Sequence, residues 1–287
     1  MWMRAAKHAA TIVITVLLAG FMGTLLVRLA PGFEVDDRTL DPRLSAASAA
    51  AIRHEHGGDR SLLGAYGSYL AGIVHGDLGV SRMLNRPVLE LLGERAPVTA
   101  VSILLGLLGG WGLGFSLAVL SVALQSRKFD IASSLFSGFF LCLPAAVLGL
   151  AFLFARAPGR LAIALIVFPK VFRYAKNLLD HCYALPHVLT ARAKGLSQTR
   201  ILLWHILPNG APQLLALAGV SVSMAVGAAI PIEVICDSAG IGQLAWQAAL
   251  ARDLPLLVNV TLLVTFVTMM VNSGCDLASY ALAPVKA

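Results

Sequence analysis

Charged side chains are scarce in this chain: they make up 13% of its 287 residues, against about 25% in a soluble domain. Apolar residues supply 58%, above the roughly 45–50% of soluble proteins. This composition excludes a soluble globular domain and indicates a polytopic membrane protein. The length suits one membrane domain of several spans. Cysteine is sparse and scattered. Cys142, Cys182, Cys236 and Cys275 form no C-x-x-C pair, so neither a zinc site nor a disulfide framework is expected. No glycine–lysine pair occurs anywhere. A phosphate-binding loop of the G-x-x-x-x-G-K type is therefore absent, and the chain is not expected to hydrolyse ATP itself. His54-Glu55-His56 departs from H-E-x-x-H and has no cysteine or acid cluster beside it, so no metal site is expected. The net charge is +7, but no basic stripe interleaves with aromatics, so nucleic acid is not an expected partner. Lys and Arg collecting in cytoplasmic loops account for the charge instead.

The long apolar runs are the positive signal. A span needs about 20 mostly apolar residues to cross about 30 Å. The fold class expected is all-α: a membrane helix bundle of about six spans. The first span covers residues 9–29 and follows Arg4 and Lys7. No clean small-x-small cleavage site follows it, so a retained helix is expected rather than a signal peptide. Residues 31–97, with an alanine-rich stretch at residues 45–52, read as a slightly acidic extracytoplasmic loop with short amphipathic helices. Five further spans lie within residues 98–282.

The second span, Val98 to Leu124, carries Gly106, Gly110 and Gly114 at every fourth position. Small residues at that spacing let helices approach closely, and packing inside the same subunit is expected rather than a dimer seam. The third span, Ile131 to Ala155, should kink at Pro144. The fourth begins as the apolar run Leu161 to Phe168, but Pro169, Lys170, Arg173 and Lys176 follow. Lys170 either sits inside the bilayer or snorkels to the headgroups; snorkelling is the expected reading. The fifth span is Gly210 to Ile232 and the sixth Pro255 to Leu282. Six spans put both termini, the Arg127-Lys128 turn and the Arg173 to Arg200 region on one side, taken as cytoplasmic.

Between the fourth and fifth spans lies the polar, basic segment 177–205. His187 to Lys194 suits about two turns of helix with Gly195 as its stop. Ser197 suits the cap of a second short helix through Ile201 to His205. The result is a compact knob whose Arg192, Lys194 and Arg200 would meet an acidic or polar groove. Covalent ties to two spans would turn a push on the knob into a tilt of helices. An ordinary solvated loop is the plainer alternative.

Several short motifs occur in order: Leu29-Ala30-Pro31-Gly32, Gly76-Asp77-Leu78-Gly79, Ser81, Arg86-Pro87-Val88, Thr190 to Leu196 and Asn209. Gly240-Ile241-Gly242, Ala251-Arg252-Asp253-Leu254-Pro255, Asn272, Asp276 and Tyr280 follow. With these, the chain resembles the inner-membrane permease subunits of dipeptide, oligopeptide and nickel ABC importers over nearly its whole length. The resemblance implies ATPase coupling through Thr190, Ala191, Arg192, Ala193, Lys194, Gly195 and Leu196, with Leu207, Pro208 and Asn209 downstream. It implies a second homologous permease, two ATP-binding cassette subunits and an extracytoplasmic solute-binding protein as partners. It also implies a bacterial inner-membrane location with both termini cytoplasmic, and no cofactor of the chain's own, since ATP binds the partner subunits. The cargo class would be peptides or a related small solute, nickel complexes included.

Two departures stand out. Pro186-His187-Val188-Leu189 replaces the family's common Asp-Tyr-Val-Arg, which should alter the start and docking of the coupling helix. The connection between the third and fourth spans is also short. The competing class is an ion-coupled carrier or channel. It calls for internal repeats or midplane charges; no clear repeat is visible, and Lys170 is the candidate deep charge.

Overall fold

A computed structural model describes residues 2–29 and 62–282. The alanine-rich residues 45–52 and the His54-Glu55-His56 triplet lie outside the described residues. Regular structure among the described residues is helical, apart from an isolated β-bridge between Val80 and Pro87. The helices are α1 (Trp2–Leu29), α2 (Leu62–Val74), α3 (Val88–Leu124), α4 (Arg127–Cys142), α5 (Ala145–Phe154) and α6 (Gly159–Tyr183). They continue as α7 (Pro186–Ala193), α8 (Gln198–Ile201), α9 (Leu207–Ile235), α10 (Ile241–Leu250) and α11 (Leu254–Leu282). A π-helical turn, Leu202–Ile206, joins α8 to α9 without a break.

Four stretches are long and apolar enough to cross a membrane: Ala6–Leu26, Val88–Leu124, Gln198–Ile235 and Leu254–Leu282. The bent pair α4 and α5 makes a fifth if it is one span. The remaining expected span, the fourth, corresponds to α6, whose length suffices but whose Lys170, Arg173 and Lys176 interrupt its apolar run.

The chain divides into two compact units: Met1–Ala9, Arg95–Gln243 and Val267–Ala287 form one, Ala10–Glu94 and Leu244–Phe266 the other. In the first, α6 is the central element. Its residues Ala162, Ile163, Val167, Phe168, Val171, Phe172 and Ala175 are buried, with i, i+4 spacings that keep them on α6's inner side. The α3 glycines lie against this face. A Cβ on Gly106 would sit 2.6 Å from Ile163 Cγ2, and one on Gly110 2.9 Å from Val167 Cβ. One on Gly114 would sit 2.8 Å from the Phe168 carbonyl oxygen. The glycine ridge is thus a seam within the subunit, as expected. The opposite side of α6 exposes Lys170, Arg173, Tyr174 and Asn177. Lys170 is on that exposed side and is not enclosed by the bundle.

The helix bounds differ from the expected ones in instructive places. α3 begins ten residues before Val98, at Val88, and runs through Pro97. Val88, Leu91 and Leu92 are buried, while Glu90 and Glu94 are exposed. This extension is helical by amphipathic packing, so hydropathy alone assigned it to the loop. The third span bends by 96° at the Leu143–Pro144 junction. The expected kink is a full break there, because Pro144 has no N–H to continue the ladder and biases Leu143 to extended backbone (ψ 125°). α6 continues past Pro169 to Tyr183, absorbing residues 177–183 of the polar segment.

In the second unit, Tyr66 of α2 donates its hydroxyl to the Leu17 carbonyl at 2.8 Å and meets Phe21 edge-on at 5.8 Å. The loop 76–87 is fastened to the start of α11. Ser81 Oγ donates to Asp253 Oδ2 at 2.6 Å, and the Met83 N–H donates to the same oxygen at 3.0 Å. Asn259 Nδ2 donates to the Leu78 carbonyl at 2.8 Å.

Candidate functional site

The polar segment folds onto the first unit's core as a short helix with one buried edge. Pro186 occupies the first turn of α7, where its missing N–H costs nothing. The helix therefore starts at the residue where the sequence departs from the resembled pattern. Val188 and Ala191, one turn apart, are buried. They pack into the cluster formed by Phe168, Phe172, Leu178, Leu179 and Cys182 of α6 together with Ile201 and Ile206. The other side of α7 exposes His187, Leu189, Thr190, Arg192 and Ala193.

The helix ends in a two-bond glycine cap. Gly195 has φ +76°, a conformation that glycine adopts without strain. Its N–H donates to the Arg192 carbonyl at 2.9 Å, and the Leu196 N–H donates to the Ala191 carbonyl at 3.3 Å. Leu196 then packs back against the same core cluster. The chain reverses at once, and Ser197 caps α8 by accepting the Arg200 N–H at 3.4 Å. α8 is not the separate second helix read from the sequence. It is the first turn of a continuous helical run through Ile235.

The π turn has a local cause. Pro208 cannot donate to the carbonyl a turn earlier, and its ring crowds that carbonyl. The Leu207 N–H reaches five residues back to Leu202 instead. Asn209 Nδ2 then donates to the His205 carbonyl at 2.8 Å. The same amide nitrogen lies 3.3 Å from His187 Nε2. Asn209 thus links the start of α9 to the start of α7.

The structure brings the expected residues together. Thr190, Ala191, Arg192 and Ala193 form α7, with Lys194 and Gly195 as its cap and Leu196 tucked under it. Leu207, Pro208 and Asn209 stand beside the helix through His187. Arg192 lies over the Tyr183 ring, 5.2 Å from its centroid, which steers the guanidinium along the end of α6. Thr190 Oγ1 donates to the Pro186 carbonyl at 3.1 Å. Lys194 and Arg200 are exposed.

The sequence reading gave no role to Tyr183 and did not foresee the contacts of His187 and Lys176. Lys176 Nζ bridges Asp130 at 3.0 Å and Asp180 at 3.1 Å, and Asp130 also accepts the Ser121 hydroxyl at 2.9 Å. These contacts tie the end of α3 and the first turn of α4 to the end of α6 that carries α7. The i, i+4 spacing of Lys176 and Asp180 was a legible hint; the Asp130 partner was not.

Residues 110–285, more than half of the chain, match the model of the binding-protein-dependent transport system inner membrane component family. The chain belongs to this family. A Brucella suis biovar 1 protein named as a peptide transport system permease is 26% identical over 304 aligned positions, covering 94% of each chain. A Sinorhizobium fredii protein named as a peptide ABC transporter permease is 26% identical and covers 93% of each. The glutathione transport system permease protein GsiC of Salmonella choleraesuis is 24% identical over 97% of this chain and 96% of its own. Among solved structures, a chain of the inward-facing MetNI methionine ABC transporter superposes with a TM-score of 0.56 at 18% identity. The match covers 68% of this chain and 94% of that one and shows a shared fold.

Proposed function

We propose that the chain is a permease subunit of a bacterial ABC importer that carries peptides or a related small solute, nickel complexes among the candidates. In this reading it forms half of the pathway, in the inner membrane, with both termini cytoplasmic and the whole chain serving as one permease domain. α7 and its glycine cap are the coupling element. They receive the movement of two ATP-binding cassette subunits, which alone bind and hydrolyse ATP. A second homologous permease completes the pathway, and an extracytoplasmic binding protein delivers the cargo. The names of the relatives support the peptide class.

The observation that carries the coupling reading is the build of α7. Val188 and Ala191 anchor it in the core, while its outer side is basic and unburied. Asn209 joins it to α9, and the turn at Ala184-Leu185 joins it to α6. A push on the exposed side is therefore delivered to both helices.

The test is the double substitution Arg192→Glu with Lys194→Glu, and separately Gly195→Pro. Proline cannot adopt φ +76° or supply the cap's N–H. Each variant should reach the membrane at normal levels yet lower uptake of radiolabelled trialanine by about tenfold or more, the scale of a lost 1.4 kcal/mol. Unchanged uptake at normal membrane levels would remove α7 as the coupling element.

A further inference from the structure

The last turns of α6 carry α7, and whatever holds them decides which helices a push on α7 can move. Leu178, Leu179 and Cys182 of these turns share one buried cluster with Val188 and Ala191 of α7. α4 and α6 lie antiparallel and are bonded to each other at two levels. At the first, Ser137 Oγ donates to the Pro169 carbonyl at 3.3 Å, and the Phe136 and Phe140 rings stand 5.5 Å from the Phe168 ring. At the second, Lys176 Nζ meets Asp130 Oδ1 at 3.0 Å. From Ser137 to Asp130 and from Pro169 to Lys176 the step is the same, seven residues. The two levels thus share one register and stand about 10 Å apart.

The first level is mostly apolar. Apolar contact is non-directional, and in lipid it supplies little drive between helices, so the pair can pivot and slide there. The second level is directional, and its acid is held in place. Asp130 lies in the first turn of α4, where Ser126 is the cap and its carbonyl accepts the Asp130 N–H at 2.9 Å. Ser121 of α3 is buried and donates its hydroxyl to the same Oδ1 at 2.9 Å. Gln125 turns the chain between the two helices at φ +47°, which keeps the link short. One carboxylate oxygen therefore gathers the end of α3, the start of α4 and the α7-bearing end of α6.

Lys176 also lies 3.1 Å from Asp180, one turn on along α6. Without the ammonium, two carboxylates on facing helices would be left to repel each other. Pairs as exposed as these add little to stability, so their worth lies in register.

We infer that Lys176 is a positioning residue that braces the α7-bearing end of α6 to α3 and α4, so that a push on α7 moves three helices together. The inference rests on α7 being the coupling element and extends its reach to helices that the chain does not join to it. Without the brace, α7 and the end of α6 swing alone about the Ser137 level, and ATP is hydrolysed with little transport.

The test is the number of ATP molecules hydrolysed per radiolabelled trialanine taken up, in proteoliposomes that hold the whole transporter with its binding protein. A merely structural role would lower both rates together and leave that ratio unchanged. Lys176→Met and Asp130→Asn should each raise it about fivefold or more. Lys176→Arg keeps the bridge, and Asp180→Asn removes only the contact within α6, so both should stay within about twofold of wild type. A wild-type ratio in Lys176→Met overturns the inference, as does an equal rise in Asp180→Asn. Uptake by Arg192→Glu with Lys194→Glu, measured in parallel, separates the two claims. If that uptake is unchanged, the coupling reading falls and the brace with it. If it is lost while Lys176→Met keeps the wild-type ratio, the brace alone falls. Spin labels on Lys128→Cys and Arg173→Cys, exposed positions of α4 and α6, give a readout that needs no cargo. The otherwise wild-type transporter should hold one separation with and without ATP and vanadate, and Lys176→Met should shift or broaden it. Identical distributions overturn the brace even where trialanine is not carried.

Discussion

Three donors converge on Asp253, which is 1% exposed: the Ser81 hydroxyl, the Met83 N–H and the Leu256 N–H. Asp253→Ala strands all of them, at about 1–3 kcal/mol for each buried group left unpaired. Ser81→Ala removes one of the three donors and strands only the Leu84 N–H, which donates to Ser81 Oγ at 3.1 Å, so it should cost less. We expect the Asp253→Ala subunit to melt well below wild type in detergent and Ser81→Ala to fall between them. Equal melting temperatures for all three would show that the clasp does not hold. Both residues were visible in the sequence as parts of short motifs. Their pairing was not, because 172 positions separate them and only the fold closes that distance. Gly195 was legible for the opposite reason: a glycine just past a polar helix has a local cause, the positive φ of a helix cap.

Helix against helix, the seam between α3 and α6 depends on side chains that are absent. A Cβ at Gly114 would lie 2.8 Å from the Phe168 carbonyl oxygen and 3.0 Å from the Phe172 nitrogen. Backbone atoms cannot swing aside as a side-chain tip can. Gly114→Val should therefore push the helices apart and cost about 1–3 kcal/mol or more, read as a lower melting temperature and a reduced membrane level. Gly112→Val on the same helix is the control, since nothing lies within 4 Å of a Cβ there. A Gly114 variant as stable as the Gly112 variant would contradict the seam.

The four-residue glycine spacing revealed this element because its period is that of the helix itself. The amphipathic start of α3 at Val88 and the charged continuation of α6 were harder to see. Both are helical because tertiary burial of one side stabilises them, and hydropathy averaged over all sides misses that. The π turn before Asn209 was illegible as well. Pro208 announces a disturbed ladder, but the surrounding packing decides whether the helix breaks, as at Pro144, or continues, as here.

For the whole molecule, composition alone indicated a membrane helix bundle, and the family match and shared fold agree with that. The expected count of six spans meets four clear candidates, five with the bent pair, because Lys170, Arg173 and Lys176 interrupt the apolar run of α6. The central claim is that α7 joins this subunit to ATP-hydrolysing partners. The most direct measurement is purification of the tagged chain from membranes of its own cells, followed by an ATPase assay on what accompanies it. The account predicts a second permease and ATP-binding cassette subunits in the eluate of the wild type, with ATP turnover. It predicts their loss when Arg192 and Lys194 are both changed to Glu. A chain recovered alone, with no ATPase activity beside it, would contradict the account.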